Sequence, residues 1–191
     1  MERRVVITGI GALTPIGNNT AEFWDGLKNG KNGIAHITKF DTEAVQSKAV
    51  CAGELKNFDP TTVVEKKETK RLDMFSIYGM AVADEAVKMS GIDLESIDKH
   101  KFGVVFGSGI GGLTTIEEQG RRLVEKGINK IAPLFIPMAI SNMAAGNIAI
   151  RFGARGTCID VVTACASSTN CIGEAFRNIK HGYSDYIIAG G

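Results

Sequence analysis

The chain has 191 residues, 44% of them hydrophobic and 23% charged, with a formal net charge of +1. That is enough apolar material for one well-packed globular domain. The near-neutral balance argues against nucleic acid or a membrane surface as a bulk partner. Four cysteines, Cys51, Cys158, Cys165 and Cys171, show no C-x-x-C pairing, so neither a zinc site nor a redox dithiol is indicated. The apolar run after Met1-Glu2-Arg3-Arg4 stops at Thr8, too short for a signal-peptide core, and no stretch reaches transmembrane length. A soluble protein of a reducing compartment such as the bacterial cytoplasm is expected.

In chain order, residues 3–11 read as a buried strand and a glycine turn. Asn19 or Thr20 should cap a short helix, with Glu22 placed for a capping box and Phe23, Trp24 and Leu27 on its inner face. Residues 29–71 are less regular and end in a charge run from Glu65 to Arg71. Asp73 starts a long helix with Phe75, Tyr78, Val82, Ala86 and Met89 repeating on one face, and Gly91 ends it. Phe102–Phe106 is the next strand, followed by glycines and a helix over Leu113–Lys126. Pro133 and Pro137 flank the apolar Leu134-Phe135-Ile136 and interrupt regular structure before an apolar helix over 142–152. Strands without polar alternation, set between helices, predict an α/β fold: a parallel or mostly parallel sheet covered on both faces.

The last stretch, 158–191, reads as strand, tight turn, helix, strand. Ile159, Val161 and Val162 supply the first strand, and small residues crowd around Cys165 in the turn. Ile172, Ala175, Phe176 and Ile179 follow at helical spacing, with Lys180 and His181 in the last turn and Gly182 as the stop. Tyr186, Ile187 and Ile188 begin another buried strand, and the chain ends at Gly191 where covering elements should follow. Residues 1–191 are therefore expected to be cut before the final elements of their domain.

A cysteine between a strand and a helix lies where unpaired backbone N–H groups and the positive helix end converge. Such a field favours thiolate over thiol, and the same N–H groups can hold an oxyanion. Cys165 reads in this way as a nucleophile; the alternative is an ordinary buried cysteine. Gly107-Ser108-Gly109-Ile110-Gly111-Gly112 fits G-x-G-x-x-G between a strand and a helix. No second strand with an acidic end follows, so a tight turn is favoured over a dinucleotide loop. Gly9-x-Gly11 reads as a structural turn too. Lys66, Lys67, Lys70 and Arg71 form either a basic patch or a solvated helix lead-in, diluted by Glu65 and Glu68. None of His36, His100 and His181 sits in a motif, and His181 suits a helix C-terminus.

The segment T-A-C-A-S-S-T-N around Cys165, the opening R-V-V-I-T-G-I-G-A-L-T-P-I-G and the loop G-V-V-F-G-S-G-I-G-G together resemble the β-ketoacyl-[acyl-carrier-protein] synthases, closest to the bacterial type II elongation enzymes. The resemblance implies a thiolase-like fold, an α-β-α-β-α sandwich of which 1–191 is most of the first half. It implies Cys165 as the acylated nucleophile, Ile110 lining the acyl pocket, and Phe135 and Ile136 reaching across a homodimer interface to close the partner's pocket. It also implies Lys67, Lys70 and Arg71 as the docking residues for acyl carrier protein in its acyl and malonyl forms. No cofactor or metal is implied, since the substrates ride on the carrier's phosphopantetheine. The two histidines and lysine of the family's decarboxylation step have no counterpart in 1–191, so this stretch alone should be inactive. A catalytically silent chain-length-factor-like partner, or another acyltransferase of the same fold, are the alternatives. The intact Cys165 speaks against the first of these, and the A-C-A-S-S setting with the glycine loop speaks against the second.

Overall fold

A computed structural model describes residues 3–191; Met1 and Glu2, which open the N-terminal run, lie outside them. Helix α1 (Thr20–Lys28) begins where Asn19 Oδ1 accepts the Glu22 N–H at 2.9 Å. Strands β1 (Ala35–His36) and β2 (Cys51–Ala52) form a small antiparallel ladder inside the irregular stretch. Helix α2 (Met74–Ser90) runs from the Asp73 cap to Gly91, whose φ of 64° ends it in the left-handed region. Strand β3 (Phe102–Phe106), helix α3 (Leu113–Lys126), the short helix α4 (Phe135–Ala139) and helix α5 (Met143–Phe152) follow. Strand β4 (Cys158–Ile159), helix α6 (Ser167–Lys180) and strand β5 (Tyr186–Gly190) complete the chain.

The central sheet has the order β4-β3-β5, parallel throughout, with Val104 beside both Cys158 and Ile188. Strand β3 is buried at every residue, as a central parallel strand covered on both faces must be. Its side chains alternate between two cores. Val104 and Phe106 join Ile77, Met80, Ala83, Ala144 and Ile148 from α2 and α5, while Val105 faces Cys171 and Ala175 of α6. Among the described residues no helix is long and apolar enough to cross a membrane.

Several local expectations are corrected. Residues 3–11 form no strand, and Ile7 is 81% exposed. The backbone at and just after their end bonds to α2 side chains instead: Ile10 N–H meets Met89 Sδ at 3.4 Å, and Ala12 N–H donates to Glu85 Oε2 at 2.9 Å. Gly9 and Gly11 lie directly on the backbone of Ala86 and Val82, so both glycines serve close packing against that helix. On α1 the buried residue is Gly26, whereas Trp24 is 61% exposed and Leu27 is exposed too. Helix α2 is packed on more than one side. Its buried stripe is Ile77, Met80 and Ala83, facing α5 and the sheet, rather than the expected Phe75-Tyr78-Val82 row. Cys171 and Ala175 make the buried seam of α6, and Ile172 and Phe176 are exposed. Phe135 and Ile136 start a short helix instead of interrupting structure, and β5 is half-buried rather than buried.

Candidate active site

Cys165 sits in a tight 3-10 turn, Ala164–Ala166, that runs straight into α6. Its side chain is exposed. The residue before it, Ala164, has φ 51°, a left-handed conformation that a non-glycine residue holds only under constraint. Ser167 supplies that constraint: its hydroxyl donates to the Ala164 carbonyl at 2.7 Å and accepts the Thr163 N–H at 2.9 Å. Asn170 Nδ2 adds a bond to Thr163 Oγ1 at 2.6 Å. The turn is thus laced to the first residues of the helix, and the sulfur is lifted out of the core at the helix's positive end. The Cys165 N–H finds no backbone acceptor outside its own turn among the described residues.

Cys171, inside α6, has the opposite character. It is fully buried against Val105, and burial pushes its thiol above the ordinary value. It is the bland core cysteine; Cys165 is not.

The glycine loop between β3 and α3 lies against the Cys165 turn. Ser108 N–H donates to Asp160 Oδ1 at 3.2 Å, while the buried Asp160 Oδ2 has no hydrogen-bond partner. A Cβ at Gly107 would come within 2.9 Å of the Val161 carbonyl and 3.1 Å of Ser167 Cβ, so only glycine lets the loop pass this close. One at Gly109 would stand 3.9 Å from Ala164. Ile110, at the tip of this loop, is 63% exposed.

The remaining site residues fall elsewhere. Phe135 is half-buried and Ile136 exposed on α4, which touches the loop through Gly112 N–H to Ala139 O at 2.8 Å. Lys67, Lys70 and Arg71 are exposed around the turn Glu68–Lys70 just ahead of α2, and Lys67 pairs with Glu65 at 2.7 Å. None of the three histidines contacts the Cys165 turn among the described residues: His36 lies in β1, His100 in the turn before β3, and His181 at the end of α6. Ser167, Asn170 and Asp73 were not singled out as site residues by sequence pattern, although Ser, Asn and Asp at helix starts are the cap-forming types.

This parallel α/β layer with an exposed cysteine at a helix start is the N-terminal half of a thiolase-like fold, as its superposition on solved ketosynthases shows. The family model for the beta-ketoacyl synthase N-terminal domain matches residues 2–191, and the chain belongs to that family. It is 42% identical to 3-oxoacyl-[acyl-carrier-protein] synthase 2 of Synechocystis, over 100% of this chain and 45% of the relative. It is 45% identical to the protein of the same name from Staphylococcus aureus, over 99% of this chain and 45% of that one. Among solved structures it superposes on the ishigamide ketosynthase/chain length factor with a TM-score of 0.89 at 25% identity, covering 100% of this chain and 47% of that one. The chain therefore spans less than half the length of these relatives.

Proposed function

We propose that this chain carries the nucleophile-bearing half of a 3-oxoacyl-[acyl-carrier-protein] synthase of type II fatty acid elongation. The exposed sulfur of Cys165, held at the start of α6 beside the glycine loop, is the observation that carries this reading. In the first half-reaction the sulfur attacks an acyl thioester. The tetrahedral oxyanion is held by backbone N–H groups including that of Cys165, and the carrier thiolate leaves. In the second, malonyl-carrier protein loses carbon dioxide, and the resulting enolate carbon attacks the Cys165 thioester. A β-ketoacyl product two carbons longer forms, and the cysteine sulfur is released. The decarboxylating histidines and the supporting lysine lie outside the 191 residues, so this stretch alone acylates at most and does not condense.

The acyl group arrives on the carrier's phosphopantetheine, which makes a resident cofactor or metal unnecessary. Lys67, Lys70 and Arg71 receive the acidic carrier protein, Ile110 lines the acyl pocket, and Phe135 with Ile136 closes the pocket of a dimer partner. The protein works as a cytoplasmic homodimer. The names of the relatives and the family membership support the synthase reading, and the exposed basic side chains ahead of α2 are of the charge an acidic partner would meet. The test is covalent labelling by a cysteine-directed acyl thioester mimic, followed by peptide mapping. Label on Cys165, lost in Cys165→Ala, is the expected result; label that persists in that variant overturns the assignment.

A further inference from the structure

Sequence pattern marks Asp73 only as the start of a helix, but the structure places its carboxylate at a junction. The side chain is buried, at 8% exposure. Oδ1 accepts the Phe75 N–H at 3.3 Å and so caps α2. Oδ2 reaches a different helix, accepting Thr115 N–H at 3.0 Å and Thr115 Oγ1–H at 2.6 Å. Thr115 is the third residue of α3, the N–H that a helix's own N-cap side chain ordinarily takes. The residue in the cap position of α3 is Gly112, which has no side chain to offer. A Cβ there would stand 2.9 Å from Asp73 Oδ2. Asp73 occupies the space of the missing cap and performs its work from another element. Two helix N-termini thus share one carboxylate, which is why a negative charge is tolerated in this buried place.

We propose that Asp73 is a positioning residue for the acyl pocket: by capping α3 from α2 it fastens the glycine loop bearing Ile110, and so sets which acyl chain lengths Cys165 accepts. This rests on the function proposed above. Three features meet at the carboxylate. The basic turn ends at Arg71, just before it in the chain. The glycine loop rests on it at Gly112. On the loop's other side lies α4, where Gly112 N–H donates to Ala139 O at 2.8 Å and Gly111 abuts the same carbonyl. Freed from Asp73, the loop keeps its α4 contact but loses the fixed start of α3. Its tip at Ile110 then gains room, and the pocket wall it forms moves with it.

The test uses the full-length synthase carrying this sequence, with Asp73→Asn and Thr115→Val. The first removes the charge and one acceptor; the second removes only the hydroxyl donor. Cys165 acylation is timed with short- and long-chain acyl N-acetylcysteamine thioesters, which bypass carrier docking. Asp73→Asn should change the long-to-short rate ratio by about threefold to tenfold, and Thr115→Val should move it less in the same direction. A merely structural weakening lowers both rates by a common factor, so an unchanged ratio in the folded variants overturns the proposal. If Asp73→Asn does not fold, Thr115→Val decides. Amide hydrogen exchange at 109–112, relative to β3, is a readout that needs no acylation. Faster exchange in Thr115→Val sustains the fastening, and unchanged exchange refutes it. Should the unsubstituted enzyme accept no thioester at all, the proposed function fails, while the exchange result still stands on its own.

Discussion

The two faces of strand β3 are built to different ends. On the face of Val104 and Phe106, α2 and α5 close a broad core with Ile77, Met80, Ala83, Ala144, Ala145 and Ile148. On the face of Val105, α6 contributes only Cys171 and Ala175, helped by Val161, Ile187 and Ala189 at the margin. The thin face is the one that carries Cys165. A turn holding a left-handed alanine and an exposed thiol is strained and solvated, and it rests on a sheet made rigid from behind. Among the described residues the broad core and the exposed thiol lie on opposite sides of one strand, so each can be substituted without touching the other.

The sharpest test of that division pairs one substitution from each face. Cys165→Ala should reduce acylation by more than about a thousandfold, since the other exposed thiols, Cys51 and Cys158, lie in short strands and not at the start of a helix. Because the Cys165 side chain is exposed, the variant's unfolding free energy in urea should stay within about 0.5 kcal/mol of the parent's. Ile148→Ala should do the reverse. The side chain is fully buried, so its loss should cost about 2–5 kcal/mol in urea unfolding while the folded fraction acylates normally. Equal stability loss in both variants would dissolve the distinction.

A smaller effect is expected away from both faces. Neutralising Lys67, Lys70 and Arg71 together should raise KM for carrier-protein substrates by about tenfold at low salt, with the gap closing as salt rises. Small thioesters should react unchanged, because these side chains are exposed and belong to the turn ahead of α2, not to the Cys165 turn. A KM that is insensitive to salt would remove the docking role.

The smallest effect lies within the thin core. Burial raises the Cys171 thiol above its ordinary 9.0. A group raised on folding contributes stability that is complete below its unfolded value and lost as pH climbs through the folded one. The stability advantage of the parent over Cys171→Ala should therefore narrow as pH rises above the ordinary thiol value, measured by urea unfolding. An advantage that is constant with pH would mean that the thiol is hydrated and the α6 face looser than described.

Long, locally encoded elements were legible in the residues. The limits of β3 and α3 follow from their apolar run and glycine punctuation, and α2 from its Asp73 and Gly91 ends. The turn bearing Cys165 was legible because small residues before a helical period leave little else for the chain to do. Which face each helix buries was not. Ile172 and Phe176 obey the helical period as well as Cys171 and Ala175 do, and only the position of β3 chooses between them. Residues 3–11 have the composition of a strand, but strand formation needs a paired backbone, and the Ile10 and Ala12 N–H groups go to Met89 and Glu85 of α2 instead.

By itself the sequence determined the α/β layering, the place of the cysteine turn before α6 and the kinship of the chain. Each of these depends on neighbours a few positions apart, where backbone sterics and periodicity decide. Only the tertiary structure showed that Asp73 caps two helices, that Ser167 holds the Cys165 turn, and that Cys171 lies sealed beneath it. Hydrogen bonds and burial of that kind join residues far apart in the chain, and no local pattern records which distant donor will meet a given oxygen.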